Sequence, residues 1–266
     1  MISMTFQLFK AFGKSAIKIQ MAYISMFWSG FLSNLLWLVI TYSFWVAAFE
    51  NNPSINHYSL QDMITYAILA STLGKYVSGM SGMLANTIRD GSIAMELMRP
   101  YHVLMKFTAW DMGTKLAIFL RETLPAFLLI ACFVPFHWAD WQTTLIFLGS
   151  AFLGIYIGVL LDLMIDMLSF WLVNLWGVYI LKGAIMGLLS GALIPLSMFP
   201  SWVQTIGKYM PFSSMVYIPT AIYTGKLTGI EMYQAIGVQF LWVSIIISIM
   251  FLSWKSVMKR VSVFGG

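Results

Sequence analysis

The chain has 266 residues, of which 60% are hydrophobic and only 9% charged. Its mean hydropathy is +0.82. A soluble domain carries roughly 25% charged residues, so this composition excludes a water-soluble globular protein and predicts an all-α integral membrane protein. The length suffices for about six spans of ~20 residues with short loops, leaving no room for a separate soluble catalytic domain. The net charge of +5 is not a nucleic-acid footprint, because the basic residues lie between the apolar intervals.

The first segment, residues 1–23, sets Lys10, Lys14 and Lys18 at i, i+4, i+8, opposite Phe6, Phe9, Ala16 and Ile17. This is the pattern of an amphipathic helix lying at a membrane surface. The N-terminus has no short apolar core followed by a small-residue cleavage site, so a cleavable signal peptide is not expected. Gly13-Lys14-Ser15 imitates part of a nucleotide-binding loop, but the required glycine five residues earlier is replaced by Leu8. No ATP site is therefore expected in this chain.

Six spans are predicted in order. The first, about Ile24 to Ala48, is free of charge, and a polar loop from Glu50 to Leu60 follows. The second, Met63 to Leu84, carries Lys75 and spaces Gly74, Ser78 and Gly82 by four, as a close helix contact requires. After it comes the longest polar and basic interval, Asn86 to Lys106. There Asp90, Gly91 and Ser92 predict a turn and helix N-cap, and a helix of at most two turns ends at Arg99-Pro100. Such a helix is unstable alone and needs a surface to lie on.

The third span, about Leu116 to Phe136, holds Arg121, Glu122 and Pro125, and is followed by a turn bearing Trp138 and Trp141. The fourth, Thr143 to Leu161, is expected to end at Asp162 and Asp166, which share one helix face and repel. The fifth, Met167 to Ser190, contains Lys182. Residues 191–229 hold Pro195, Pro200, Pro211 and Pro219, half of the chain's 8 prolines. A broken, re-entrant or interfacial segment fits there better than a straight span. The sixth span, Tyr233 to Trp254, leads into Lys255, Lys259 and Arg260.

In this scheme Lys10, Lys14, Lys18, Arg89, Arg99, Lys106, Lys115, Arg121, Lys255, Lys259 and Arg260 are cytoplasmic, and only Lys208 and Lys226 are outside. That asymmetry predicts both termini inside and residues 191–229 outside. Intramembrane charge is costly, about +2.5–3.5 kcal/mol per residue on insertion scales. Lys75, Asp162, Asp166 and Lys182 are accordingly expected to line a polar pathway or to pair, Lys75 with Asp162 being one possible pair. Cys132 is expected as a buried small hydrophobe. His57, His102 and His137 lack metal-ligand spacing, and no metal site is expected.

Two stretches carry a family resemblance. Asp90-Gly91-Ser92-Ile93 through Leu97-Met98-Arg99-Pro100 is similar to a pattern of a glycine, small and apolar residues, then Leu-x-Arg-Pro in the membrane subunits of ABC type-2 exporters. Gly191 to Pro195, Phe199-Pro200-Ser201-Trp202, Pro211 and Gly225 resemble that family's proline-punctuated segment before the last span. The resemblance is to the compact six-span kind encoded apart from its ATPase. It implies a single permease domain over 1–266, with residues 1–23 as an elbow helix and 86–106 as a cytoplasmic coupling segment. It further implies a second permease subunit, identical or homologous, and a cytoplasmic ATPase dimer that binds ATP and magnesium; this chain itself would hold no cofactor. Ser92, Ile93, Glu96, Leu97, Met98 and Arg99 would then contact the ATPase, with Ile93, Leu97 and Met98 in a cleft and Glu96 and Arg99 at its edge. Family exporters move lipids, glycans, peptides or drugs outward. Two other readings stay open: a membrane-embedded enzyme using Asp162, Asp166 and a loop histidine, and a proton-driven carrier using Lys75 and the same acids.

Overall fold

In a computed structural model of the chain, residues 2–22, 24–51, 53–56, 58–77 and 82–258 are described. His57, Ser78, Lys259 and Arg260, named above, lie outside them. The described residues form α1 (Ile2–Ala22), α2 (Ile24–Phe49), α3 (Leu60–Val77), α4 (Met83–Arg89), α5 (Ile93–Leu97) and α6 (Val103–Ile118). After these come α7 (Leu124–Phe133), α8 (Trp141–Asp166), α9 (Trp176–Leu189), α10 (Ser201–Tyr209), α11 (Tyr217–Tyr223) and α12 (Gly229–Met258). The only β pairing among them is an isolated bridge between Ile55 and Tyr58.

Among the described residues, four helical runs are long and apolar enough to cross a bilayer: Phe27–Phe49, Val103–Phe133, Trp141–Phe170 and Gly229–Met258. Helix α9 is apolar but shorter. Helix α3 is buried continuously from Met63 to Ala70, so Thr65 and Tyr66 face protein. At the centre, α8 meets α3, α6, α11 and α12. Its small residues make this possible. A Cβ on Gly154 would sit 2.5 Å from the Met215 carbonyl oxygen, and one on Gly158 would sit 3.3 Å from Val77.

Several boundaries differ from the expected ones. The second apolar interval is not one helix through Leu84: α3 ends at Val77, and Gly82 precedes α4 with a φ of 57°. That left-handed conformation cannot continue an α-helix, so Gly74 and Gly82 do not share one helix face. The third helical run starts at Val103, well before Leu116, because one π turn, Phe119–Thr123, joins α6 to α7 without a break. Pro125 lies just beyond it. A proline removes one ladder bond and crowds the carbonyl four residues back, here that of Arg121, and the wider turn accommodates it.

Helix α8 continues through Asp166 and a short 3-10 turn, Met167–Phe170, so α9 begins only at Trp176. Cys132 is exposed, not buried. It shares the outward side of α7 with Leu128, Leu129 and Phe133, which are exposed too. An apolar outward surface suits lipid as well as a protein core does, and apolarity alone does not tell them apart.

The interval 191–229 is broken into a 3-10 turn, Leu196–Met198, and the short helices α10 and α11. Its irregular backbone is satisfied by neighbouring side chains, as a dry environment demands. Tyr66 Oη donates to the Gly191 carbonyl at 2.8 Å. Gln239 Nε2 donates to the carbonyls of Ser214 at 2.7 Å and Ser150 at 3.0 Å. Gln204 Nε2 reaches the carbonyls of Phe199 and Ser197 at 2.7 and 3.0 Å. One buried glutamine thus ties α12 to α8 and to the broken segment.

Helix α1 packs along α6, leaving Lys10, Lys14 and Lys18 exposed and burying Ala16. The crossing is close: a Cβ on Gly113 would stand 2.5 Å from the Gly13 carbonyl oxygen.

Candidate functional site: the α4–α5–α6 junction

The polar interval after α3 folds as two short helices joined by a tight turn. Gly91 has φ 79°, and Asp90 accepts from the Ser92 backbone N–H at 2.9 Å and the Ser92 hydroxyl at 2.6 Å. These donors, the hydroxyl first, hold the Asp90 carboxyl below its usual range. The turn is the expected one, but Ser92 makes no side-chain cap bond to α5. Its hydroxyl is turned back to Asp90 instead.

Helix α5 is narrower in its exposed face than the sequence implied. Ile93 is only 5% exposed and belongs to the chain's own core, with Leu97 packed against that core. Ile93 therefore does not face outward to a partner. The exposed positions are Met95, at 64%, and Met98, at 86%. The expected grouping of Ile93 with Met98 fails because a helix turns ~100° per residue, so positions five apart lie well over 100° around the axis from each other.

Glu96 is held inward by partners that sequence spacing did not reveal. It accepts from Lys106 Nζ at 2.6 Å and from Tyr101 Oη at 2.7 Å, with Arg99 Nη1 at 3.8 Å. Burial pushes the Glu96 carboxyl up, but the Lys106 and Tyr101 hydrogen bonds and the Lys106 and Arg99 charges outweigh it. The group stays below its ordinary value. The Tyr101 ring meets Phe12 of α1 edge-on at 5.0 Å. Thus α5, α6 and α1 are joined through a single carboxylate and one tyrosine.

Beneath this junction, α4 is gripped from α8. Asp166 is 0% exposed. Its Oδ2 accepts from the backbone N–H groups of Leu84 at 3.1 Å and Ala85 at 3.4 Å, and its Oδ1 accepts from Tyr179 Oη of α9. A carboxyl from another helix thereby occupies the unsatisfied N–H groups at the start of α4. Asp162, 1% exposed, pairs with Lys182 of α9, and its Oδ2 lies 3.8 Å from Lys115 Nζ of α6. Lys115 in turn bonds Asp111 at 2.9 Å. The two aspartates do share a face, but each has its own partners.

Lys75 does not pair with Asp162. Its partner is Glu122, at 3.6 Å from Nζ to Oε2. Glu122 lies in the π turn beside Arg121, which pairs with it. The carboxyl fits because Gly30 of α2 faces it, and a Cβ there would overlap the carboxyl atoms. Lys75, Asp162, Asp166 and Lys182 stood out in the sequence as site residues, whereas Glu122, Lys115 and Lys106, named there only within a span or as cytoplasmic charges, and Tyr179 and Tyr101 were missed as partners. Only Asp111–Lys115 had a readable signal, the i, i+4 spacing. Of the histidines, His102 packs on Trp254, ring centres 5.7 Å apart, and burial pushes it below its usual value. His137 lies in the α7–α8 turn, away from that ring pair.

The arrangement consists of ion pairs and hydrogen bonds between helices, ending at a small exposed apolar surface on α5. No curated protein and no solved structure matches the chain. A family model described as "ABC-2 family transporter protein" matches it over residues 35–265. With that match across most of its length and four helices able to span a bilayer, the chain belongs to the ABC-2 transporter family and is a multi-pass membrane protein.

Proposed function

We propose that this chain is the permease subunit of an ATP-driven exporter and that α5 is the contact through which a separate cytoplasmic ATPase moves it. The observation that carries the reading is the form of α5. It exposes Met95 and Met98, while Ile93, Leu97 and Glu96 fix it from below to the core, α6 and α1. Met95 and Met98 would fill the ATPase cleft, with Ser92 and Arg99 at its rim. Methionines suit this position, since their flexible, polarizable side chains adapt to irregular apolar surfaces.

The proposal includes six crossings with both termini cytoplasmic. Helix α3, at 18 residues, spans about 27 Å, and α9, at 14 residues, about 21 Å. As the fifth crossing, α9 would be completed by the irregular backbone after Leu189, whose carbonyls have internal donors. Residues 191–229 would lie on the outer side. ATP and magnesium would be bound by the ATPase dimer, and a second permease subunit would complete the pathway in the cell membrane.

The test is purification of the full chain from its native membrane in mild detergent, with mass-spectrometric identification of whatever protein stays attached. The expected result is a nucleotide-hydrolysing subunit on the unaltered chain, lost from Met95→Asp plus Met98→Asp while membrane insertion is unchanged. Full ATPase attachment and transport by that double variant would remove α5 from the role. Proton-gradient-dependent transport by the chain alone would favour the carrier reading instead.

A further inference from the structure

Arg89 ends α4, is exposed, and forms no ion pair or side-chain hydrogen bond among the described residues. It lines a cavity of about 370 Å³ between α4 and the α8–α9 turn, together with Asn86, Ser169, Asn174, Trp176 and Tyr179. The Ser169 hydroxyl is buried and has no hydrogen-bond partner. A buried polar group without a partner costs about 1–3 kcal/mol, and a ligand in the cavity would satisfy it. Asn174 Oδ1 is already used by the Trp176 backbone N–H at 2.8 Å, which leaves its amide nitrogen as the free half. Tyr179 gives its proton to Asp166. The remaining groups are therefore donors or can donate: a guanidinium, two amides and a hydroxyl. That set matches an anion with several acceptor oxygens.

The surroundings point to where such an anion would come from. Trp171, Leu172, Val173 and Trp176 of the same turn are all exposed. Exposed tryptophan beside aliphatic side chains at the end of a spanning helix marks the headgroup level of a bilayer. An arginine at that depth is suited to a phosphate, which it can meet with two parallel N–H groups.

We propose that this cavity binds a phosphate-class anion, supplied by the headgroup of an anionic phospholipid. The ligand would bridge α4 to the α8–α9 turn, beside the link that Asp166 makes from α8 to α4 and Tyr179. This site needs no ATPase and stands apart from the role given to α5.

The full chain in mild detergent is titrated with dioctanoyl-phosphatidylglycerol and, separately, with inorganic phosphate. Binding is read by native mass spectrometry and by the thermal midpoint. The lipid is expected to bind and raise the midpoint, and Arg89→Gln to weaken it about tenfold, the scale of a charge-assisted hydrogen bond. Arg89→Lys should fall between, and Ser169→Ala should lose less than Arg89→Gln. Inorganic phosphate binding as tightly as the lipid, with the same Arg89 dependence, would keep the anion site but make its source a free ion. Absence of binding by the unaltered chain, or Arg89→Gln titrating like it with both probes, would overturn the proposal.

Discussion

Asp166 offers the sharpest test of how α4 is held. Replacement by leucine keeps the approximate volume but removes every acceptor. The Leu84 N–H, bonded at 3.1 Å, and the Tyr179 hydroxyl then lose their partner, and the weaker Ala85 bond at 3.4 Å goes with them. A buried donor left unsatisfied costs about 1–3 kcal/mol. Two full losses and one partial loss, offset by no longer burying a carboxyl, give a net destabilisation of about 3–5 kcal/mol. Asparagine retains one acceptor oxygen for the start of α4, so Asp166→Asn should cost only about 1–2 kcal/mol. Tyr179→Phe should cost about 1 kcal/mol, and combined with Asp166→Leu should add little, because the partner is already gone.

The assay is a thermal-stability cycle over these variants in one detergent, with hydrogen exchange followed at α4. The expected ranking is Asp166→Leu well above Asp166→Asn, and exchange at Leu84 and Ala85 should rise most in the leucine variant. Equal costs for Leu and Asn, or full additivity of Tyr179→Phe with Asp166→Leu, would refute the bond pattern.

Other outcomes follow from the same contacts. Lys182→Met and Asp162→Asn should each destabilise the chain, and the double change should recover part of the summed loss in a melting cycle. Gly113→Leu should release α1 from α6, seen as faster proteolysis near Gly13, because the added side chain has no space beside the Gly13 carbonyl. Glu96 has a depressed folded value, so its stabilisation is complete above its ordinary 4.5 and is lost as pH falls through the lower folded value. The melting gap between the unaltered chain and Glu96→Gln should therefore be open at pH 7 and close below pH 4.5. In a Cys132→Ser background, an impermeant maleimide should label cysteines at Ser201 and Lys226 from outside but not one at Ser92; the reverse would invert the proposed orientation.

The long lipid-facing helices were legible because their signal is local: charge-free runs such as Gln20 to Phe49 need no knowledge of neighbours. Breaks were harder. The end of α3 at Val77 and the left-handed Gly82 look, in sequence, like one more small-residue repeat within a span. The π turn at Phe119–Thr123 has no compositional mark beyond Pro125. Charged pairs were legible as residues but not as pairs. Lys75 was expected to line a polar pathway or to meet an acid, and only the fold decides between Asp162 and Glu122, which lie on different helices. The same limit applies to α5. Its length and turn were readable from Asp90 to Pro100, whereas the inward side of Ile93 depended on the position of the core beneath it.

Three of the acids, Glu122, Asp162 and Asp166, share one feature that bears on motion: each is bonded or paired to another helix. Lys75 of α3 meets Glu122 at the α6–α7 junction, Lys182 of α9 meets Asp162 of α8 with Lys115 of α6 close by, and Asp166 of α8 joins α4 to Tyr179 of α9. Asp162, Asp166 and Lys182 are buried and have exchanged water for protein partners. Removing a partner from such a pair is expensive, about 3–5 kcal/mol, so the linked helices favour moving together over sliding apart. In the proposed role, force on Met95 and Met98 enters α5. It then passes through Glu96 and Lys106 to α6, and through the turn at Asp90 to α4. From α4 it reaches α8 and α9 by way of Asp166. The two routes meet again at Asp162, where Lys115 and Lys182 approach from α6 and α9. In the proposed role, a closed loop of that kind would carry a displacement through the linked helices as a unit, which would give the acids and lysines inside this otherwise apolar chain a mechanical use.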